Sequence, residues 1–324
     1  MIDVAAAAGV SLKTVSRVIN NEPNVDGAMA ARVLGAAEQL GYHRNALAAS
    51  LRSGTNDTIA FVSADLSNTF YMQIAAALSA VAVQRGMHVV MASSEEDAAT
   101  ERRLALDLCQ RRVGGLIVVP AASDQSYLAR EVERGTPVVF LDRPGTGVAA
   151  DAVLLDNRGG ACAAVAELLD AGHERIAILL DSPDIFTMAE RLAGARDAFA
   201  AAGREFDPAT VIAGIHTPRD ARGAMDRLLD AAAPPTAVFC GNNRATVGAL
   251  EAILAREADV AVSGFDDFEL AWMLPRRVRL VAYDVAELGT RAATTLLDRV
   301  ANGTPAASAA QLVPTTLVDR GGRR

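Results

Sequence analysis

Residues 10–20 read Val10-Ser-Leu-Lys-Thr-Val-Ser-Arg-Val-Ile-Asn20, and the fold of the N-terminal part is predicted from them. Val15, Val18 and Ile19 recur at helical spacing, which predicts a helix with one buried face. The apolar residues before this stretch end at Gly9, which can take the positive φ that terminates a helix. Ser11 can cap the helix that follows. Together these features predict a helix-turn-helix, with an ordinary two-helix corner of a bundle as the alternative.

The side chains off this buried face are long or able to hydrogen-bond, as is typical of groups that contact bases and phosphates. They are Leu12, Lys13, Thr14, Ser16, Arg17 and Asn20. Farther along, Asp26 is a candidate N-cap of a third helix that extends through Leu40. Three short helices of this kind predict a small DNA-reading domain.

Charge and composition limit the classes of protein that fit. A net charge of −8 over 324 residues argues against a nucleic-acid-binding surface on the whole chain. Residues 1–56, however, carry five basic and four acidic side chains, so the acidity belongs to the remainder. We expect three buried thiols in a reducing compartment, since no CxxC or metal-ligand spacing occurs. No apolar run of transmembrane length and no leader pattern is found, so a cytoplasmic protein is expected.

From Thr58 onward, apolar runs of strand length alternate with amphipathic helical stretches, which predicts a parallel sheet covered on both faces. The predicted strands are Ile59–Ala64, His88–Ala92, Leu116–Val119, Val138–Leu141, Val153–Leu155, Ile176–Leu180, Ala237–Cys240 and Val260–Ser263. A Pro/Gly-rich joint at residues 143–147 separates two sets of these units. Two lobes with a joint indicate a hinged clamp around a small ligand. Neither GxGxxG nor GxxxxGK[ST] supports nucleotide binding.

An ordered set of short motifs resembles the lactose-repressor (LacI) family of bacterial transcription regulators. The motifs are Asp3-Val-Ala, Gly9-Val-Ser, Thr14-Val-Ser-Arg-Val-Ile-Asn20, Leu40-Gly-Tyr42, Asn45-Ala-Leu-Ala, Ser50-Leu-Arg52, Ser67-Asn-Thr-Phe70, Arg111-Arg-Val-Gly-Gly-Leu-Ile117, Leu141-Asp-Arg143, Leu155-Asp-Asn157, Gly172-His-Glu-Arg-Ile-Ala177, Arg191-Leu-Ala-Gly194, Pro235-Thr-Ala-Val-Phe239 and Gly264-Phe-Asp-Asp267. Each motif is weak alone, but the set follows the family's order along essentially the whole chain.

The resemblance implies an α/β protein with a small all-α helix-turn-helix headpiece over residues 1–44. A hinge helix and linker would span residues 45–57. A two-lobed, doubly wound effector domain, like type I periplasmic binding proteins, would fill residues 58–324. The chain is expected to cross between the lobes three times. Lobe 1 would hold about residues 58–145 and 278–302, and lobe 2 about 149–266 and 309–324. The resemblance also implies a lobe 1 helix over Val285–Ala301 and a lobe 2 strand over Gln311–Val318.

The resemblance also assigns residue roles at the DNA. Leu12, Lys13 and Arg17 match base-reading positions, since Arg and Lys favour guanine and an apolar side chain favours the thymine methyl. Ser11, Thr14, Ser16 and Asn20 match phosphate contacts. Leu51 matches the hinge-helix leucine that wedges into the minor groove and bends the duplex, with simple packing of a linker helix as the alternative.

In the effector cleft, Arg191 and Asp266 match the family's most used ligand contacts. Further positions that often line the cleft are Phe70, Asp142, Arg143, Thr187, His216 and Asn242. A guanidinium and a carboxylate facing one cleft suit a sugar, a sugar acid or a similar ligand. The alternative for each polar residue is a solvated or interlobe ion pair.

The sequence thus predicts a homodimeric, ligand-responsive repressor of a carbohydrate or related catabolic operon, which binds palindromic operator DNA without a cofactor, metal or membrane. A transporter-associated solute-binding protein is the first alternative, but it would need a signal peptide and no reader domain. An α/β enzyme is the second alternative, but no nucleophile elbow or metal-ligand cluster accompanies the four histidines.

Overall fold

A computed structural model describes residues 1–19, 25–42, 57–303 and 309–322. The chain forms two compact units, and the second begins at Asp57. None of the helices in these described ranges is both long enough and apolar enough to cross a lipid bilayer.

The first unit contains helices α1 (Ile2–Ala8), α2 (Leu12–Ile19) and α3 (Gly27–Gln39). Gly9 ends α1 with a φ of 62°, and the Ser11 hydroxyl accepts a hydrogen bond from the Thr14 N–H at 3.1 Å. Asp26 caps α3 by accepting from the Met29 N–H. The predicted helix, glycine turn and capped helix are therefore confirmed.

The three helices share one small apolar core. Val4, Val15, Val18 and Val33 are buried together in it. Arg32 of α3 donates to the carbonyl oxygen of Ala8 at 2.8 Å, which places a cation at the C-terminal end of α1. The core and this bond fix α1 and α2 against α3.

The second unit has twelve strands and eight α-helices in its described part. The strands are β1 (Thr58–Ser63), β2 (His88–Ser93), β3 (Leu116–Val118), β4 (Val138–Leu141), β5 (Asp151–Leu155), β6 (Ile176–Leu179), β7 (Val211–Ile212), β8 (Ala237–Cys240), β9 (Ala261–Phe265), β10 (Val278–Ala282), β11 (Ala310–Val313) and β12 (Thr316–Arg320). The helices are α4 (Thr69–Gln84), α5 (Ala98–Gln110), α6 (Ala129–Glu133), α7 (Asn157–Asp170), α8 (Phe186–Ala201), α9 (Pro218–Leu229), α10 (Asn243–Ala255) and α11 (Val285–Asn302). Short 3-10 turns lie at Ser126–Leu128, Pro208–Thr210 and Ala271–Met273.

The strands form two sheets of six with the same topology. Sheet 1 has the order β11-β5-β4-β3-β1-β2, and sheet 2 has the order β12-β10-β9-β8-β6-β7. All neighbours pair in parallel except β10 and β12, which are antiparallel. This duplication confirms the two-lobed doubly wound class.

Apolar residues cover both faces of each sheet. In lobe 1, α4 and α11 pack on one face through Leu78 and Leu296, and α5 packs on the other face through Leu108. In lobe 2, α7 and α8 cover one face, while α9 and α10 cover the other. The strands are therefore nearly continuous apolar runs, as expected for sheets buried on both faces.

The lobe boundaries differ from the expected ones at two strands. β5, which we assigned to lobe 2, pairs with β4 in sheet 1, because Val153 and Leu155 complete the lobe 1 core. β10, which we assigned to lobe 1, pairs with β9 in sheet 2, where Leu280 and Val281 enter the lobe 2 core.

The C-terminal part supplies both lobes. α11 packs in lobe 1, as predicted. The single strand expected over Gln311–Val318 is wrong: β11 joins β5 in sheet 1, and β12 joins β10 in sheet 2. Pro314 lies between them and lacks the N–H that a continuous ladder would need. Within the described residues the chain thus passes between the lobes at 155–157, 282–285 and 313–316.

Candidate functional site

A cleft of about 680 Å³ lies between the two lobes. Loops at the carboxyl ends of the strands form it, which is where open α/β sheets bind ligands. All eight residues that the sequence placed in an effector cleft line it: Phe70, Asp142, Arg143, Thr187, Arg191, His216, Asn242 and Asp266. The structure therefore brings these residues together, while their contacts with a ligand stay a prediction.

Asp142 and Asp266 occupy equivalent positions in the two lobes, each directly after the fourth strand of its sheet. Their φ angles are 67° and 73°, in the left-handed region that non-glycine residues seldom adopt. Each N–H donates to the strand beside it, Asp142 to the Val153 oxygen and Asp266 to the Val281 oxygen. Such backbone strain is concentrated at functional sites in folded proteins.

Arg191 is fixed by several partners in the floor of the cleft. Its Nε donates to Asn157 Oδ1 at 2.9 Å, and its Nη1 donates to the Gly241 carbonyl oxygen. The guanidinium carbon lies 3.6 Å from the ring centroid of Phe265. Nη2 lies 3.6 Å from Asp266 Oδ1. Arg191, which we predicted to contact the ligand, thus also stabilises lobe 2, because two of its nitrogens donate hydrogen bonds to other residues of that lobe.

Asp266 receives two further donors. The Tyr283 hydroxyl donates to Oδ1 at 2.7 Å, and the Asn243 N–H lies 3.4 Å from Oδ2. Burial and the negative charge of Asp266 raise the pKa of Tyr283, so this phenol stays a protonated donor. The carboxylate keeps lone pairs that no described protein group fills, and these can accept hydrogen bonds from a ligand.

In lobe 1, the Tyr71 hydroxyl lies 3.3 Å from Asp142 Oδ2. Burial raises the pKa of Asp142, and the neighbouring Arg143 charge acts in the opposite direction. The two lobes therefore each present a tyrosine–aspartate pair to the cleft.

Arg143, next to Asp142, has its own partners in lobe 1. Its Nη1 and Nη2 each donate to Glu96 at 2.6 Å, and Nη1 also donates to the Pro120 carbonyl oxygen.

One ion pair joins the lobes across the cleft. Arg244, at the start of α10 in lobe 2, donates to Asp65 Oδ2 at 2.8 Å and to the Ser67 hydroxyl at 3.3 Å. Burial opposes ionisation of Asp65, but hydrogen bonds from Ser67 and Arg244 lower its pKa. Asp65 is therefore ionised at neutral pH and holds Arg244.

Two of the other predicted residues have protein partners, and a third is buried. His216 is exposed, and its Nδ1 lies 2.6 Å from Asp181 Oδ1. Asn242 caps α10 by accepting from the Ala245 N–H at 2.8 Å, so its side-chain oxygen is already used. Thr187 is buried at the first turn of α8.

Sequence reasoning missed many of the polar residues that line this cleft, among them Asp65, Tyr71, Glu96, Arg244 and Tyr283. Three of these residues could have been predicted from their positions in the sequence, because Asp65 follows β1, Glu96 follows β2 and Tyr283 follows β10. Residues after strand ends meet at one edge of a parallel sheet. The pairing of Arg143 with Glu96 was not visible, because 47 residues separate them.

The predicted DNA-contacting residues of α2 lie away from the headpiece core. Ser11, Leu12 and Lys13 are exposed, and Thr14, Ser16 and Arg17 are half-buried. Asn20 and Leu51 lie outside the described residues, and so does the predicted hinge helix. Among the residues that the structure describes, no group of three His, Cys, Asp or Glu side chains is arranged to hold a metal ion.

Two family profiles match the chain. The one described as "Bacterial regulatory proteins, lacI family" matches residues 1–45. The one described as "Periplasmic binding proteins and sugar binding domain of LacI family" matches residues 56–310.

Similar proteins agree along the full length. The ribose operon repressor of Escherichia coli K12 is 32% identical over 99% of this chain and 98% of its own. A solved complex of the transcriptional regulator CelR with cellobiose is 31% identical, with a TM-score of 0.73 over 99% of this chain and 98% of the other. The lac repressor dimer, solved with operator and the anti-inducer ONPF, is 25% identical, with a TM-score of 0.87 over the same two shares.

A helix-turn-helix unit followed by two α/β lobes around a polar cleft defines a DNA-binding transcription regulator with a small-molecule site. This chain belongs to the LacI family of bacterial regulatory proteins.

Proposed function

We propose that this protein is a homodimeric repressor of a carbohydrate catabolic operon, and that a sugar bound between the lobes changes its affinity for a palindromic operator. The observation that carries the proposal is the convergence of Asp142, Arg191 and Asp266 from both lobes on one polar cleft. A ligand that bridges the lobes has a different affinity for their open and closed arrangements. It therefore shifts operator affinity by that difference.

The exposed side chains of α2 in the headpiece support the proposal that this helix contacts DNA. Leu12 and Lys13 project into solvent, and Arg17 follows one helical turn later. We infer that these three read base edges, and that Ser11, Thr14, Ser16 and, outside the described residues, Asn20 and Leu51 contact phosphates and the minor groove. A headpiece with so little net charge binds DNA weakly alone, so two linked copies are needed.

Dimerisation is supported by apolar side chains left in solvent on the second unit. Leu270, Trp272 and Met273 of lobe 2 are each more than half exposed, and Met72 and Val90 of lobe 1 are exposed as well. Large apolar side chains left in solvent on a folded protein are candidates for an interaction surface. We also assign the protein to the cytoplasm, where a chromosomal operator is accessible to it.

The test uses operator fragments selected from random DNA by the full-length protein. Fluorescence anisotropy is measured with and without each sugar of a panel that includes ribose, galactose, glucose and cellobiose. We expect at least one sugar to change the operator Kd by about five- to 150-fold. Failure to select any sequence, or an unchanged Kd with a sugar that calorimetry shows to be bound, would contradict the proposal.

Dimerisation is tested separately by sedimentation at micromolar concentration. Trp272→Glu should shift the protein toward the monomer and weaken operator binding, because it places a charge in the proposed apolar contact. Gln110→Glu, which places a charge at an exposed polar residue of α5, is the control and should stay dimeric.

A further inference from the structure

The basic side chains of the cleft already have protein partners. Among the described residues, three arginines and one histidine line it. The Arg143 side chain is only 8% exposed, and both of its terminal nitrogens donate to the two oxygens of Glu96. These two nitrogens form the fork through which an arginine binds a phosphate or a carboxylate by paired hydrogen bonds, and here Glu96 occupies both of them.

The other basic side chains of the cleft also have protein partners. Arg191 donates to Asn157 and Gly241, and its last terminal nitrogen faces Asp266. Arg244 donates to Asp65 and to Ser67. His216 faces Asp181. At Arg143 an anionic ligand would have to displace Glu96 and leave it unpaired. At Arg191 and Arg244 it would meet a guanidinium whose charge a nearby carboxylate already balances.

Carboxylates outnumber arginines in the cleft by six to three. They are Asp65, Glu96, Asp142, Asp181, Asp184 and Asp266. Even with Asp142 protonated, since burial raises its pKa, the cleft carries a net negative charge. A like-charged ligand group would be repelled by this field, which is weakly screened in a partly enclosed site.

We propose that the ligand of this cleft is an uncharged polyhydroxylated sugar, and that phosphorylated and acidic sugars are excluded. The proposal rests on the proposed function, since it names the chemical class that the same site takes. Sugar hydroxyls donate to the free lone pairs of Asp142 and Asp266. Glu96 excludes anions because it occupies the fork of Arg143.

The first arm of the experiment compares matched sugars on the full-length protein by isothermal titration calorimetry. The sets are ribose with ribose 5-phosphate, and glucose with glucose 6-phosphate and gluconate. We expect any neutral sugar that binds to do so at least about tenfold more tightly than its anionic counterparts. A sugar phosphate or sugar acid that binds as tightly as its neutral form would overturn the proposal.

The second arm needs no identified sugar and uses inorganic phosphate as the probe. Glu96→Gln releases the fork of Arg143, so phosphate binding should become at least about tenfold tighter than in the parent. Glu167→Gln is the matched control, because Glu167 makes the same two-oxygen pair with Arg279 outside the cleft. Phosphate affinity in this control should equal that of the parent. Circular dichroism confirms that both variants fold.

The outcomes separate the two proposals. If the parent and a folded Glu96→Gln bind phosphate equally tightly, the exclusion of anions is overturned. A tightly bound sugar phosphate that shifts operator affinity also overturns it, while it supports the regulator. If no sugar of the panel binds, the phosphate arm still decides whether anions are excluded, and only the sugar response is contradicted.

Discussion

Asp266→Asn tests the centre of the proposed sugar site without disturbing its backbone. Asp266 has a φ of 73°, and asparagine is one of the few residues that adopts this region readily. The side chain keeps its shape and one oxygen acceptor, but it loses its charge and one of its two oxygens. The substitution therefore isolates the contribution of the carboxylate.

The magnitude follows from the partners of this carboxylate. Oδ1 accepts from Tyr283 at 2.7 Å and Oδ2 accepts from the Asn243 N–H at 3.4 Å, so the remaining lone pairs of the two oxygens are left for a ligand. Hydrogen bonds to a charged group contribute about 1.5–3 kcal/mol, against about 0.5–1.5 kcal/mol between neutral groups. If one or two hydrogen bonds from the sugar change from a charged to a neutral acceptor, sugar binding weakens by about 1–3 kcal/mol, or about five- to 150-fold. The free energy of unfolding should fall by only about 1 kcal/mol, since Tyr283 keeps an acceptor.

Calorimetric titration with the sugar identified in the panel gives the affinity, and urea unfolding gives the stability. Asp267→Asn is the matched control in the same turn, because Asp267 pairs with Arg320 instead of lining the cleft. Operator affinity without sugar should stay near that of the parent in both variants. Unchanged sugar affinity in Asp266→Asn, or an equal loss in Asp267→Asn, would refute the assignment.

Three further predictions concern other parts of the chain. Arg17→Ala should cost about 1–3 kcal/mol on the selected operator and relax preference at one base position, as read by anisotropy; equal loss on random DNA would remove Arg17 from the base-reading set. Arg244→Ala should speed amide exchange around Asp65 and cost at most about 1 kcal/mol of stability, because the pair is partly exposed; unchanged exchange there would show that the pair does not hold the lobes together. Burial raises the pKa of Cys240 to about 12. Cys162 is less buried, so it should react with a disulfide reagent at least about tenfold faster than Cys240 in the native protein. Equal rates would contradict the burial of Cys240.

Local patterns predicted the headpiece and most strands correctly. Gly9, Ser11 and Asp26 act through hydrogen bonds and dihedral angles a few residues away, so their roles are readable from sequence. The assignment of β5 and β10 to lobes failed for the opposite reason. An apolar run shows that a strand is buried, but not which of two similar sheets it joins.

The candidate site divides in the same way. Residues after strand ends were predictable, because topology alone gathers them at one edge. The partners of these residues were not predictable, since Arg143 with Glu96 and Arg244 with Asp65 are pairs between distant segments. These pairs balance the charges of Arg143 and Arg244, so the proposed exclusion of anions could be inferred only from the structure.

The late position of β11 and β12 in the chain has a consequence for biosynthesis. Residues 310–320 add an edge strand first to lobe 1 and then to lobe 2, and lobe 1 also waits for α11 to supply Leu288 and Leu296 to its core. Neither lobe can complete its sheet until residues 310–320 have been made, whereas the described helices of the headpiece precede both lobes in the chain. A nascent chain therefore carries a DNA-reading unit long before it can sense a sugar, and a truncated product would lose the edges of both lobes at once.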